Sequence, residues 1–364
     1  MKILHVLTDH NIGGAGRHFL TYLKEHDRIR FQPEVVLPVG SRLVPEVHGV
    51  NIHEVRHIRD KSFSVKGLIG LVNLFRSVKP DIVHTHASLS GRIAARLLGI
   101  SVVSTRHYCI HVSPLKTRFP IRLMSGIFNS LLTDKIIAVS DEVKKGLLVT
   151  GTEPSRIEVV YNGVEPIPQL SAQEKQETKA KYGVGENAFV VLQAARLSKE
   201  KGHVFTLEAA KTLMKTDPEV TFLLAGDGPL EDALRKQIAD EGINNVVMAG
   251  FVHDIGEVMG IADLQLNASL TEATCISLLE GMSLGLPAVA AAVDGNPYVI
   301  FHGENGLLVP PESPQDIAES ILQIKRDSEL KNTLAEGSLR VFEDRFRSDV
   351  MVEGIERVYT SLKL

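Results

Sequence analysis

Two glutamates, Glu272 and Glu280, are separated by seven residues in the stretch Ser269 to Gly285, Ser-Leu-Thr-Glu-Ala-Thr-Cys-Ile-Ser-Leu-Leu-Glu-Gly-Met-Ser-Leu-Gly. The run from about Ile276 to Met282 reads as a helix. Glu272 therefore falls in the turn ahead of it, where unpaired backbone N–H groups attract anions. Glu280 lies about two turns in, roughly 12 Å along the axis at 1.5 Å per residue. Two acceptors at that separation suit an extended, hydroxyl-rich ligand with a charged middle, the shape of a sugar nucleotide. The same pair could equally be two ordinary acids on a solvated helix.

Other residues bear on that choice. Arg196 and Lys201 stand in one loop, Ala195-Arg196-Leu197-Ser198-Lys199-Glu200-Lys201-Gly202-His203. Arginine clamps phosphate bidentately and lysine acts as a point charge, although alone the two could be a solvated loop. No Asp-x-Asp occurs in the chain, so a diphosphate handled without a divalent ion needs such fixed cations. His84-x-His86 hints at a metal, but neighbours two apart on a strand need a third ligand, and none is spaced for it. No metal is expected. Gly13-Gly14-Ala15-Gly16 after an apolar run lets a ligand approach the backbone closely. Phe19 stands where a dinucleotide fingerprint needs its final glycine, so the loop is not that motif.

These residues need elements to place them, and the chain supplies alternating ones. Ile3 to Leu7, Val35 to Leu37, Ile82 to His86, Val102 to Thr105, Ile136 to Val139 and Ile157 to Val160 are strand-like runs. Helical spacing separates them, as at Phe19 to Leu23, Val65 to Val78 and Ser90 to Leu98, with Ser140 as an N-cap ahead of Asp141 and Glu142. Such alternation predicts a parallel sheet covered on both faces, with ligands at the carboxyl ends of the strands. Those ends carry Gly13 to Gly16, His86, His107 and Ser140. Glu165-Pro166-Ile167-Pro168-Gln169 is a stiff connector. A second set of strands follows: Phe189 to Leu192, Val220 to Ala225, Val246 to Met248, Leu264 to Asn267, Ala288 to Ala291 and Gly306 to Pro310. Loops between them hold Gly226-Asp227-Gly228-Pro229 and Gly250-Phe251-Val252.

At 364 residues the chain has room for two domains. A net charge of −4 gives no reason to expect nucleic acid as a partner. Cys109 and Cys275 make neither a disulfide framework nor a metal motif, which favours a reducing compartment. The chain opens on a strand rather than a signal peptide, and no apolar run approaches the roughly 18 residues of a membrane span, so a cytoplasmic location is expected. The segment 111–130 breaks the rhythm. It carries Lys116, Arg118 and Arg122 beside Leu115, Phe119, Ile121, Leu123, Met124, Ile127 and Phe128. A basic helix with such an apolar face can lie on an anionic membrane surface, or it can pack that face on its own domain.

In this order, the glycine loop, Arg196-x-x-x-x-Lys201-Gly202, Gly226-Asp227-Gly228-Pro229 and Glu272-x7-Glu280 before Gly285-Leu286-Pro287 resemble the retaining enzymes of glycosyltransferase family 4. The resemblance runs nearly end to end and implies the α/β GT-B fold, two facing Rossmann-like domains with parallel sheets and an interdomain cleft. It places an acceptor-binding domain at residues 1–165 and a nucleotide-sugar-binding domain at 170–345. A C-terminal helix at 346–364 would cross back to the first. It implies sugar transfer with retention and without metal, from a nucleotide-diphosphate donor, UDP favoured over GDP. The leaving phosphate would take the acceptor's proton. Arg196 and Lys201 would hold the diphosphate, Glu280 the ribose and Glu272 the donor sugar's hydroxyls. Backbone near Phe251 and Val252 would meet the base, and Gly228, Thr274, Cys275 and Ile276 would complete the donor site. Gly14 and Gly16 would approach the phosphates and the acceptor, His107 the reaction centre, and His86 and Ser140 the acceptor side. The family often has Glu-Gly-Phe-Gly where this chain reads Glu272-Ala273-Thr274-Cys275, and a glutamate where it has Tyr298. The acceptor implied is a glycan or lipid-linked one, in polysaccharide or lipid-linked glycan synthesis, with peripheral membrane contact through 111–130. The alternatives are a soluble transferase acting on a small acceptor and a silent sugar-nucleotide-binding protein.

Overall fold

The computed structural model describes residues 1–8, 14–50, 55–58, 63–108 and 119–362. Gly13, Cys109 and the stretch 111–118, with Lys116 and Arg118, lie outside the described residues. The chain divides into two units, Met1–Val164 with Phe346–Leu364, and Glu165–Arg345.

Unit 1 is a parallel sheet of β1 (Lys2–Leu7), β2 (Gln32–Pro38), β3 (Val55–Ile58), β4 (Ile82–His86), β5 (Ser101–Arg106), β6 (Lys135–Ala138) and β7 (Ile157–Val159). The strand order is 3-2-1-4-5-6-7. Its helices are α1 (Gly14–Glu25), α2 (Leu43–Gly49), α3 (Val65–Val78), α4 (Leu89–Leu97), α5 (Ile121–Leu132) and α6 (Asp141–Val149). Several start on a serine whose hydroxyl accepts an otherwise orphaned backbone N–H: Ser64 from Gly67 at 3.1 Å, Ser88 from Gly91 at 3.0 Å, Ser140 from Val143 at 3.3 Å. The sheet is buried on both faces, which is why its central strands read as unbroken apolar runs. Ile3, Leu7, Ile82 and Val103 face one layer, and Leu4, Val6, Val83 and Val102 face the layer under α3 and α4. β3 carries no such run. Val-Arg-His-Ile is an edge strand with mixed burial, and its pattern alone marks no strand.

Unit 2 runs α7 (Ala172–Tyr182), β8 (Phe189–Ala194), α8 (His203–Thr216), β9 (Val220–Ala225), α9 (Glu231–Asp240), β10 (Val246–Gly250), α10 (Ile255–Gly260), β11 (Leu264–Asn267), α11 (Ile276–Met282), β12 (Ala288–Ala291) and β13 (Gly306–Val309). Two helices, α12 (Pro314–Arg326) and α13 (Ser328–Val341), close it. Its parallel sheet has the order 10-9-8-11-12-13. Odd and even residues of β8 again serve opposite cores, Phe189 and Val191 on one side, Val190 and Leu192 on the other.

The last helix, α14 (Ser348–Thr360), belongs to unit 1. It packs on α1 and buries Met351, Val352, Ile355, Val358 and Tyr359, the stripe that helical spacing selects. Both units are thus Rossmann-like α/β layers.

α5 corrects one expectation. Its apolar side chains do not pack on their own domain: Leu123, Met124, Ile127, Phe128 and Leu131 are all exposed, as is Phe119 just before it. The inward face is made of Gly126 and Asn129. A Cβ on Gly126 would lie 2.1 Å from the Gly151 carbonyl oxygen, and Asn129 donates to the Thr152 hydroxyl at 3.0 Å. Small and polar contacts hold the helix down and leave the greasy face outside.

Candidate functional site

In unit 2 the strand order reverses between β8 and β11. In open parallel sheets the crevice outside the strand ends at such a switch point is the binding position. The loop after β8 and the loop after β11 meet there. Gly202 makes this approach possible, since it has φ +66° and a Cβ on it would lie 1.9 Å from the Ala268 carbonyl oxygen. Leu270 N–H donates to the Glu200 carbonyl at 2.8 Å and ties the two loops.

Lys201 Nζ and Glu272 Oε1 are 2.5 Å apart, and Glu272 is buried. The same carboxylate oxygen accepts from Ser269 Oγ at 2.9 Å and Asn267 Nδ2 at 3.4 Å. The Glu272 backbone is held as firmly. Its N–H donates to Asp294 Oδ2 at 3.2 Å, and its carbonyl accepts from Gly295 N–H at 2.8 Å. Asn267 also donates to Cys275 Sγ at 3.0 Å and accepts from Asn296 Nδ2 at 3.1 Å. The carboxylate is fixed in position before any ligand arrives. Burial pulls the Lys201 ammonium toward its neutral form, but the Glu272 charge and hydrogen bond outweigh it, and its pKa ends above the ordinary lysine value. Burial, then the Glu272 charge, pushes the Cys275 thiol up, so it stays protonated and unreactive.

The other residues that the resemblance assigns to the donor stand in the loops after β8, β9 and β10 and at α11. Arg196 is exposed in the loop after β8, and the loop is tied to the one after β9 through Leu197 N–H to the Asp227 carbonyl at 2.7 Å, beside Gly228. Phe251 is exposed after β10, with its ring edge-on to His253 at 5.0 Å, and Val252 is half-buried behind it. Thr274 and Ile276 are half-buried at the start of α11, and Glu280 is buried on that helix. Gln265 Nε2 reaches the Leu278 and Leu286 carbonyls at 3.3 and 3.4 Å, clamping α11 to β11.

In unit 1 the row of Ile3, Ile82 and Ser101 gives way, two residues on, to His5, His84 and Val103, and two further on to Leu7, His86 and Thr105, with His107 two residues past Thr105. His86 Nδ1 and His107 Nε2 are 3.0 Å apart and share a hydrogen, while His5 Nδ1 and His86 Nε2 are 3.4 Å apart. His84 is held at both ring nitrogens, by the Tyr359 hydroxyl at 2.6 Å and the Thr105 hydroxyl at 2.7 Å. His18 of α1 bonds Asn162 Oδ1 at 2.9 Å, and its ring edge meets His107 at 5.0 Å. Burial and then the neighbouring histidine charges hold His5, His84 and His86 well below the usual imidazole range. Burial and His18 do the same for His107, and burial takes His18 to about 4 against its Asn162 bond. Five neutral imidazoles thus sit together. His107 Nδ1 is buried and has no hydrogen-bond partner. Gly14 and Gly16 form the first turn of α1, while Ser140 spends its hydroxyl on the α6 cap.

Sequence spacing missed His5. It lies in register with His84 through the β1–β4 pairing and brings a third imidazole to His84 and His86, with ring nitrogens within 4.8 Å of one another. The Tyr359 and Thr105 hydroxyls occupy both His84 nitrogens and His5 Nδ1 meets His86 Nε2, while His5 Nε2 is buried without a partner. His18, Tyr359, Asn267 and Asp294 were equally invisible, because nothing in their sequence neighbourhood marks a long-range partner.

Known proteins match the chain over both units. The family model described as Glycosyltransferase Family 4 matches residues 12–166, and that described as Glycosyl transferases group 1 matches residues 174–340. The chain is 28% identical over 312 residues to an Escherichia coli UDP-Gal:alpha-D-GlcNAc-diphosphoundecaprenol alpha-1,3-galactosyltransferase, covering 82% of this chain and 80% of that one. It is 26% identical over 287 residues to the N-acetyl-alpha-D-glucosaminyl L-malate synthase of Bacillus anthracis, covering 77% and 74%. The crystal structure of Anabaena HepE in complex with UDP superposes with a TM-score of 0.86 over the whole of both chains at 24% identity, which speaks for the fold. With a family model matching each unit, and a GT-B neighbour matching both, the chain belongs to glycosyltransferase family 4 and is a GT-B glycosyltransferase.

Proposed function

We propose that this glycosyltransferase moves a sugar from a UDP-sugar to an acceptor hydroxyl with retention and without a metal ion. The acceptor would be a lipid-linked glycan at the cytoplasmic face of a membrane. The observation that carries the donor assignment is the Lys201–Glu272 pair, 2.5 Å apart at the switch point between β8 and β11. In this reading Lys201 and Arg196 neutralise the diphosphate as its bond to the sugar breaks, a charge-stabilising role that fixed cations fill without reorganisation. Glu272 accepts from the donor sugar's hydroxyls and Glu280 from the ribose. Phe251 lies beside the base, and Gly228 and the Thr274–Ile276 turn line the phosphates and sugar. A neutral His107, with Nδ1 uncommitted, bonds a hydroxyl near the reacting carbon. Gly14 and Gly16 let the backbone approach the phosphates. The departing phosphate takes the acceptor's proton.

UDP is favoured because a structural neighbour holds it and a relative's name specifies UDP-Gal. The lipid-linked acceptor draws on that relative's diphosphoundecaprenol substrate and on the exposed apolar face of α5. No helix among the described residues is long and apolar enough to cross a membrane, so the contact proposed is peripheral.

Calorimetry with UDP-sugars tests the site. Lys201→Ala and Glu280→Ala each weaken binding, Lys201→Ala by roughly tenfold or more, the scale of one charge-assisted contact. Wild-type affinity in both variants refutes the assignment. NMR of the first-formed product anomer decides retention, and undiminished turnover with a chelator present supports metal independence. Full turnover on a water-soluble acceptor, with no gain from lipid, would favour a small-molecule acceptor like the malate of the Bacillus relative.

A further inference from the structure

The face of the unit 1 sheet opposite the histidines carries a second polar group that the transfer reaction as described leaves idle. Val102 packs under α3 and α4 with Val83, Ala94 and Ala95, and the two-residue period puts Ser104 and Arg106 on that same face, at the carboxyl end of β5. Ser104 lies opposite Thr85 in register. Gly91 of α4 sits over Thr85, since a Cβ there would lie 3.2 Å from Thr85 Cγ2, and Arg92 is the next residue.

Arg92 is only 6% exposed, yet its Nε and Nη1 have no hydrogen-bond partner. Ser104 Oγ is buried without one, and so is Arg106 Nε. No carboxylate among the described residues pairs with either guanidinium. Burial, and after it the Arg106 charge, lowers the Arg92 pKa to about 10, with Tyr108 opposing. A buried, unpaired cation is costly, and a second, half-buried guanidinium beside it adds to the cost unless an anion completes them. What is missing is an acceptor-only group with several oxygens. Guanidinium forks match phosphate oxygens bidentately, and two of them match a phosphate or diphosphate.

We propose that Arg92, Ser104 and Arg106 form an anion site that takes the phosphate or diphosphate group of the acceptor. This rests on the reading above that unit 1 receives the acceptor. The site lies one residue from His107, and α4 touches α5, whose exposed apolar face suits the lipid portion of such a molecule.

Titration of inorganic pyrophosphate into the full chain saturated with UDP, in magnesium-free buffer, tests the site apart from the donor pocket. The wild type binds pyrophosphate with UDP present. Arg92→Met and Arg106→Gln each lose about tenfold or more in pyrophosphate affinity while UDP affinity stays. Arg92→Met also melts higher than wild type, because an unpaired buried charge has gone; a residue serving only structure would melt lower. Pyrophosphate binding that UDP abolishes, unchanged affinity in both variants, or a lower melting temperature of Arg92→Met overturns the proposal. A kinetic arm separates the two sources of phosphate. In Arg92→Lys, a raised KM for a diphospholipid-linked sugar with kcat held assigns the site to the lipid carrier, and the same rise for a soluble glycosyl phosphate assigns it to a free phosphate ester. Should wild type glycosylate neither, the acceptor reading fails, while the titration still decides the site.

Discussion

Five histidines within one layer of unit 1 make the protein's stability depend on pH. His5, His18, His84, His86 and His107 are neutral in the fold, with pKa values pushed below the ordinary 6.5 by burial. The unfolded chain protonates them below pH 6.5 and the folded chain resists, so their contribution is present above 6.5 and falls away with acidification. For His18 the loss stops near its folded value of about 4. A histidine that stays neutral in the fold loses about 1.4 kcal/mol by pH 5.5, and five such groups approach the whole stability of a domain, about 5–15 kcal/mol. Melting followed from pH 7.5 to 5.5 is expected to fall steeply, and His5→Asn to flatten the slope. A flat profile would mean that these rings already carry their charge in the fold. In unit 2 the matching residue-scale feature is Glu272, whose carboxylate and backbone are both tied down. Lys201→Ala removes the charge proposed to meet the diphosphate and also strands a buried carboxylate. A melting curve beside the calorimetry separates the two effects.

α5 is the element whose local rules conflict with its setting. An exposed run of Leu123, Met124, Ile127, Phe128 and Leu131 is the kind of patch that monomeric soluble proteins rarely leave uncovered. Gly126 and Asn129 anchor the other side, so the apolar face cannot simply roll inward without Gly126 leaving the Gly151 carbonyl. Vesicles of anionic lipid are expected to float the wild type and to release a Phe119→Glu, Met124→Glu, Leu131→Glu triple variant, with melting temperature and UDP affinity unchanged. Equal flotation of both removes the membrane surface proposed here. The basic residues that could assist, Lys116 and Arg118, fall outside the described residues, and Arg122 is exposed on the helix itself.

For the molecule as a whole, the chain's return to unit 1 is the decisive feature. α14 supplies Met351, Val352, Ile355, Val358 and Tyr359 to the core of unit 1, and Tyr359 also holds His84. At about 1.5–3 kcal/mol per buried side chain, losing five of them matches the net stability of a domain. A chain ending at Arg345 is therefore expected to lose the cooperative melting of unit 1 and acceptor turnover, while unit 2 still binds UDP by calorimetry. Loss of UDP binding in that truncation would show that unit 2 depends on the removed helix.

The sequence by itself determined the alternating α/β scheme, because apolar runs of strand length and serine caps are local signals, and all six strands of unit 2 were legible from them. It also singled out Arg196, Lys201, Glu272 and Glu280 as candidates for the donor side, because their order and spacing along loops and the start of one helix are what a resemblance can carry. β3 escaped, since an edge strand with mixed burial has no apolar run to betray it. Only the tertiary structure decided which groups touch. His5 joins His84 through strand register across 79 residues, α4 carries Arg92 over the sheet where Gly91 meets Thr85, and Tyr359 reaches His84 from the far end of the chain. Such pairings are set by sheet order and packing, which periodicity does not encode. The outward turn of α5 has the same cause: its pattern shows that one face is apolar, and only the fit of Gly126 against Gly151 decides which way that face points.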